Sequence, residues 1–257
     1  MPVPPELNNL PMNPEYGTGI YRRRIRLQGE PGRVIAELED CNHGFRALIY
    51  HDGQRVTAIE PEMLRIPLTT CPGALAPIQA LVGTELSADI RTISAEVNPR
   101  TNCTHLYDLS VLAIHHCLRG ETLRQYDVAV PDASDGPIEA TVTRDGELVL
   151  SWTLHEWRIQ NEGPVKGKSL FAGFGAWASK LYTGETKEAA FILQKGYFVS
   201  NARQFDLSKL AGLPMAVAEG RSGVCYSHTP GIIETAVRTS NSARDFTDTP
   251  EQLLRFT

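Results

Sequence analysis

The chain has 257 residues, 42% of them hydrophobic and 21% charged, with a formal net charge of −5. Such a composition supports one large or two modest globular cores, and the acid excess gives no electrostatic footing for nucleic acid or an anionic membrane. No apolar run approaches the roughly 18 residues that cross a bilayer, so the expected partner is a small-molecule substrate, with a homo-oligomer compatible.

Residues 1–20 read as an extended arm without the apolar stretch of a secretory signal. Five cysteines, an odd number, argue against a disulfide framework. Together these features predict a cytoplasmic protein. Tyr21 to Leu27 alternates charged and apolar residues, which predicts an edge strand with a basic outer face. Strands follow over 33–39, 45–50 and from 56 toward 66, with the Asp52-Gly53 hairpin signal between the last two. These three make an antiparallel meander, to be covered on one face by helices running from Cys71 to Leu81 and from Asn102 to Leu118.

Pro131 to Pro137 is dense in breakers and predicts a linker. Two domains are therefore expected, at 21–130 and 137–257. The second carries strands over 138–143 and 148–154, a continuation at Trp157-Arg158-Ile159, and a helix over 186–198. A short strand over 220–226 and a helix over 230–238 close the chain. The glycine- and aromatic-rich stretch from Phe171 to Trp177 reads as core or as the wall of a pocket. Both halves run a strand into an Asp-Gly turn, at Asp52-Gly53 and Asp145-Gly146, so the second half is compatible with a degenerate repeat. The fold class is α+β in both halves.

The chemistry-bearing residues stand at element ends. Cys71 and Cys103 open helices, where partial positive charge favours thiolate. His105 follows Cys103 by two residues, and Asp40 and His43 flank the turn between two strands. Sulfur and imidazole together suit zinc, with iron as the alternative. The metal candidates are Cys71, Cys103, His105 and His43. The candidate catalytic groups are His43, Asp40 and Asp108, with Asp40 and Asp108 able to orient a histidine. Cys41 is the weakest candidate, and Cys117 falls on an apolar helical face.

Cys41-Asn42-His43-Gly44, Thr69-Thr70-Cys71-Pro72-Gly73-Ala74 with Val82-Gly83-Thr84-Glu85-Leu86, and Asn102-Cys103-Thr104-His105-Leu106 together resemble the three cysteine segments of the U-type iron–sulfur cluster assembly scaffold, over roughly residues 33–118. The resemblance implies a three-stranded meander carrying a metal pocket. The turn lacks that family's Gly-Asp, and its His-Cys pair is reversed and spaced here. Glu39-Asp40 with His43, Arg65-Ile66-Pro67 with Thr70–Ala74, Asn102–Leu106 with Asp108, and Ser242–Phe246 resemble a bacterial family of unknown function. That resemblance implies a setting in aromatic and phenylpropanoid acid catabolism. The expected function is a zinc- or iron-dependent lyase or hydratase acting on an aromatic or phenylpropanoid side chain. An iron–sulfur or persulfide carrier and a non-catalytic protein with a structural zinc site are the alternatives.

Overall fold

The computed structural model describes residues 10–120, 122–133, 135–215 and 223–256. In chain order they form β1 (Ile20–Glu30), β2 (Arg33–Asp40), β3 (Gly44–His51) and β4 (Val56–Arg65), then helices α1 (Ile90–Glu96) and α2 (Thr104–Cys117). Next come β5 (Leu123–Pro131), β6 (Ile138–Arg144), β7 (Glu147–His155) and β8 (Arg158–Ile159), and helices α3 (Phe174–Leu181) and α4 (Gly184–Ser200). All eight strands belong to one antiparallel sheet in the order β4-β3-β2-β1-β5-β6-β7-β8. The three strands expected over 33–66 are β2, β3 and β4, at one end of this larger sheet.

The edge-strand reading of β1 is corrected. β1 pairs with β2 on one side and with β5 on the other. Its arginines tolerate that position because carboxylates stand opposite them. Arg24 faces Asp127 and Arg26 faces Glu37 in register, each with a 2.6 Å ion pair. Tyr21, Arg23, Ile25 and Leu27 are the buried face, so one arginine points into the core.

β5 buries Arg124, Tyr126, Val128 and Val130. An arginine at an inward position broke the apolar alternation and hid this strand from the sequence pattern. β5 and β6 pair from Tyr126 opposite Arg144 to Ala129 opposite Thr141, so the sheet is continuous across the Pro131–Pro137 linker. The β6–β7 hairpin holds Asp145 and Gly146 at φ 52° and 88°, the left-handed pair that a two-residue hairpin requires.

α2 packs on β1, β2 and β3, and α4 packs on β1, β5, β6 and β7. α4 lies close against the sheet at Gly196, where a Cβ would come 2.7 Å from Val128 Cγ1. A single cluster joins Phe45, Leu106, Tyr126, Trp152 and Leu193 from both halves. Two other expectations change. The helix after Cys71 is a pair of five-residue 3-10 helices, Cys71–Leu75 and Pro77–Leu81, because Pro72 and Pro77 withhold the amides a longer α-helix would need. The helix expected over 230–238 is one 3-10 turn, Ile233–Thr235, after which Val237 and Arg238 bridge to Pro214 and Leu68. The strand expected over 220–226 lies partly outside the described residues, and Tyr226–His228 forms a 3-10 turn. The N-terminal arm lies outside them through residue 9, and Met12 then bridges to Phe205.

Candidate functional site

The chain reverses between β2 and β3 through Cys41-Asn42-His43, and the Asp40 carboxylate makes that turn. Its Oδ1 accepts the amides of Asn42 at 2.8 Å and His43 at 2.9 Å. The same oxygen lies 3.0 Å from His43 Nδ1. Oδ2 accepts the Tyr21 hydroxyl at 2.9 Å and Arg23 Nε and Nη2 at 3.1 and 2.6 Å. Asp40 is wholly buried. Burial pushes its carboxyl up, but the charges of His43 and Arg23 outweigh that and hold it well below the usual carboxylate range. An ionised carboxylate at Nδ1 assigns the proton of a neutral imidazole to that nitrogen and leaves Nε2 as the acceptor.

His105, the second residue of α2, stacks on His43 with ring centroids 3.9 Å apart and planes at 26°. Phe45 packs against both rings. Burial drives the His105 pKa well down, the charges of His43 and Arg23 add to this, and Asp40 opposes it. These influences favour the neutral imidazole at His105. Among the described residues, Asp40, His43 and His105 form the group whose ligand atoms all lie within 4.8 Å of one another. Cys71 and Cys103 are not in that group.

Both thiols nevertheless face the same space. Cys103 caps α2, and Cys71 opens the first 3-10 helix. Gly73 lets the Tyr226 ring lie directly on that turn, where any Cβ would collide with it. This contact carries Cys225 and Ser227 in, and Ser227 Oγ donates to Cys71 Sγ at 3.5 Å. The expected thiolate bias is reversed. Burial raises Cys71, Cys103 and Cys225 alike, and the amides of Leu106 and His105 at the helix start only partly counter this at Cys103. Cys41 is buried and raised too, with Asn42 Nδ2 at 3.3 Å from its sulfur. Cys117 packs on the core and donates to the Ala113 carbonyl. Asp108 makes a 3.1 Å ion pair with Lys195 of α4.

His43, Cys71, Cys103, His105, Asp108, Cys225 and Ser227 line a cavity of about 960 Å³ shared by both halves of the chain. Part of its wall is aromatic: Trp157, Phe171, Tyr197 and Phe198. Trp157 meets Tyr197, Phe198 and Phe171 at centroid distances of 5.0, 5.7 and 5.9 Å. The Phe171–Trp177 stretch thus splits. Phe171 faces the cavity, while Phe174 and Trp177 pack around Trp152. Trp157 reaches the wall from a β7–β8 hairpin in which Glu156 and Trp157 hold φ of 48° and 68°, a backbone that disfavours large side chains.

The C-terminal segment fastens the turn from behind. Arg244 N donates to the Cys41 carbonyl at 2.8 Å, and Arg65 ties the Ser242, Asp40 and His43 carbonyls to the Glu39 carboxylate.

Residues 33–117 match the family described as "Protein of unknown function (DUF2889)". The match takes in Asp40, His43, Cys71, Cys103 and His105 but covers about a third of the chain. It leaves out Arg23, Trp157, Cys225 and Arg238. No curated protein and no solved structure matches the chain. None of those four residues was read from the sequence as part of the site. Only Arg23 carried a usable signal, since it shares strand parity with Tyr21, Ile25 and Leu27.

Proposed function

We propose that the chain is a zinc- or iron-dependent enzyme, a lyase or hydratase, acting on the side chain of a small aromatic or phenylpropanoid compound held in the cavity. The observation that carries this reading is the stacked His43–His105 pair, backed by Asp40 and opening into a space with an aromatic wall. Two imidazoles and a carboxylate within 4.8 Å are a donor set that zinc and ferrous iron accept. Such an ion would supply Lewis-acid polarisation of a carbonyl or an acidified water. The chain's own residues do the rest. Asp40 holds the His43 ring, the aromatic wall seats the substrate, and Asp108 with Lys195 offers proton-handling groups at the cavity.

A second reading has its own observation in favour. Asp40 already receives six donor contacts, which suits a carboxylate that orients His43 as a metal-free general base. Elemental analysis of freshly purified protein separates the two. The metal reading expects zinc or iron near one per chain, lost in both His43→Ala and His105→Ala. Folded, metal-free wild-type protein would transfer the proposal to the acid–base dyad. The carrier alternative needs accessible thiolates, whereas Cys71 and Cys103 are each 8% exposed.

A further inference from the structure

Four of the buried arginines have a carboxylate within an ion pair: Arg23 with Asp40, Arg65 with Glu39, Arg124 with Glu185 and Arg203 with Asp132. Arg238 has none among the described residues. It is 7% exposed and lines the same cavity as His43. Its Nη2 donates to Asn42 Oδ1 at 3.0 Å, and its Nε is buried with no partner. Burial draws its pKa down to about 10, and Cys41 and Cys71 offset this only in part. A guanidinium removed from water and left without an anion is costly to the fold.

The residue is also held in place. Its amide donates to the Leu213 carbonyl at 3.0 Å, its carbonyl accepts from Gly212 at 2.9 Å, and it bridges to Leu68. Asn42, which engages the guanidinium, is itself fixed in the Asp40 turn. A planar guanidinium whose Nε–H has no partner among the described residues, fixed in advance beside an apolar cavity, matches the oxygens of one carboxylate better than a point charge would.

We propose that Arg238, steadied by Asn42, is the anion subsite of the cavity and takes the carboxylate of an aromatic acid whose ring rests on the Trp157 wall. This rests on the cavity being the substrate site and is independent of any metal. The groove so described discriminates by charge at one end and by aromatic contact at the other.

The test is calorimetric titration of the full chain with cinnamate and with its neutral analogue cinnamamide. Wild-type protein should favour cinnamate by about ten-fold or more. R238Q should lose that preference, and R238K, which keeps the charge but not the fork, should retain part of it. Equal binding of acid and amide by wild-type protein overturns the proposal. So does cinnamate affinity in folded R238Q within about two-fold of wild type, or no binding of cinnamate at all. If R238Q does not fold, the acid-over-amide preference of wild type and its reduction in R238K decide. Metal analysis of the same samples keeps the two readings apart. Charge preference without metal removes only the metal centre, and metal without charge preference removes only the subsite.

Discussion

Two buried polar clusters in this chain use nearly the same side chains. In one, the carboxylate of Asp40 receives Tyr21, Arg23 and His43. In the other, the carboxylate of Glu188 on α4 receives Tyr126 of the neighbouring strand β5, together with His115 of α2 and Arg119 just beyond that helix. The Asp40 cluster ends in an imidazole that lines the cavity and stacks on a second imidazole. The Glu188 cluster ends in His115 Nε2, which is buried with no partner among the described residues. Residue types alone do not make a site. A histidine held by a carboxylate becomes useful where its far nitrogen reaches a space that a substrate can enter.

That contrast can be tested by stability first. Asp40→Ala leaves Arg23 as an unpaired buried charge, at a cost of about 3–5 kcal/mol, with Tm falling by roughly 10 °C. A shift within about 0.5 kcal/mol would show that this network does not hold the turn.

Glu188 acts on the pH profile. Burial raises its carboxyl, but His115, Arg119 and Tyr126 prevail and bring it from 4.5 to about 2. Its folded pKa is depressed, so its contribution of at most about 3 kcal/mol is present above pH 4.5 and drains away as pH falls toward 2. Urea midpoints across that range should drop more steeply for wild type than for Glu188→Gln.

Metal retention draws the sharpest line between the clusters. His43→Ala should weaken zinc or iron retention by at least about 10–100-fold, whereas His115→Ala should leave it unchanged. Equal effects would place the ion elsewhere. Arg238→Gln gives the smallest effect. Because no ion pair among the described residues is broken, Tm should stay level or rise, and a fall of several degrees on thermal melts would reveal an anionic partner for Arg238 in the folded chain.

Much of the local order was legible in the residue pattern. The Asp-Gly turns, the strands β2 to β4 and β6 to β7, and helices α2 and α4 all lie near their expected positions. The grouping of Asp40, His43 and His105 was half legible, because a turn and a helix start at neighbouring element ends can converge. The sulfurs were expected to share that grouping. They line the same cavity but stand outside the 4.8 Å cluster, and burial raises their pKa values. Arg23 was misplaced because alternating charge reads as a solvated face unless the partner strands are known.

The sequence by itself determined the α+β class, the hairpins and the helix carrying Cys103 and His105, since these follow from periodicity, caps and turn residues a few positions apart. Tertiary structure decided which charges are buried and which of them are compensated. Arg23 meets Asp40 only through the pairing of β1 with β2, and Trp157 meets Phe171 and Phe198 only once α4 has docked. Arg238 reaches Asn42 across 196 residues of chain, a contact no local pattern encodes, because burial and pairing are properties of the packed sheet and of the segments folded against it.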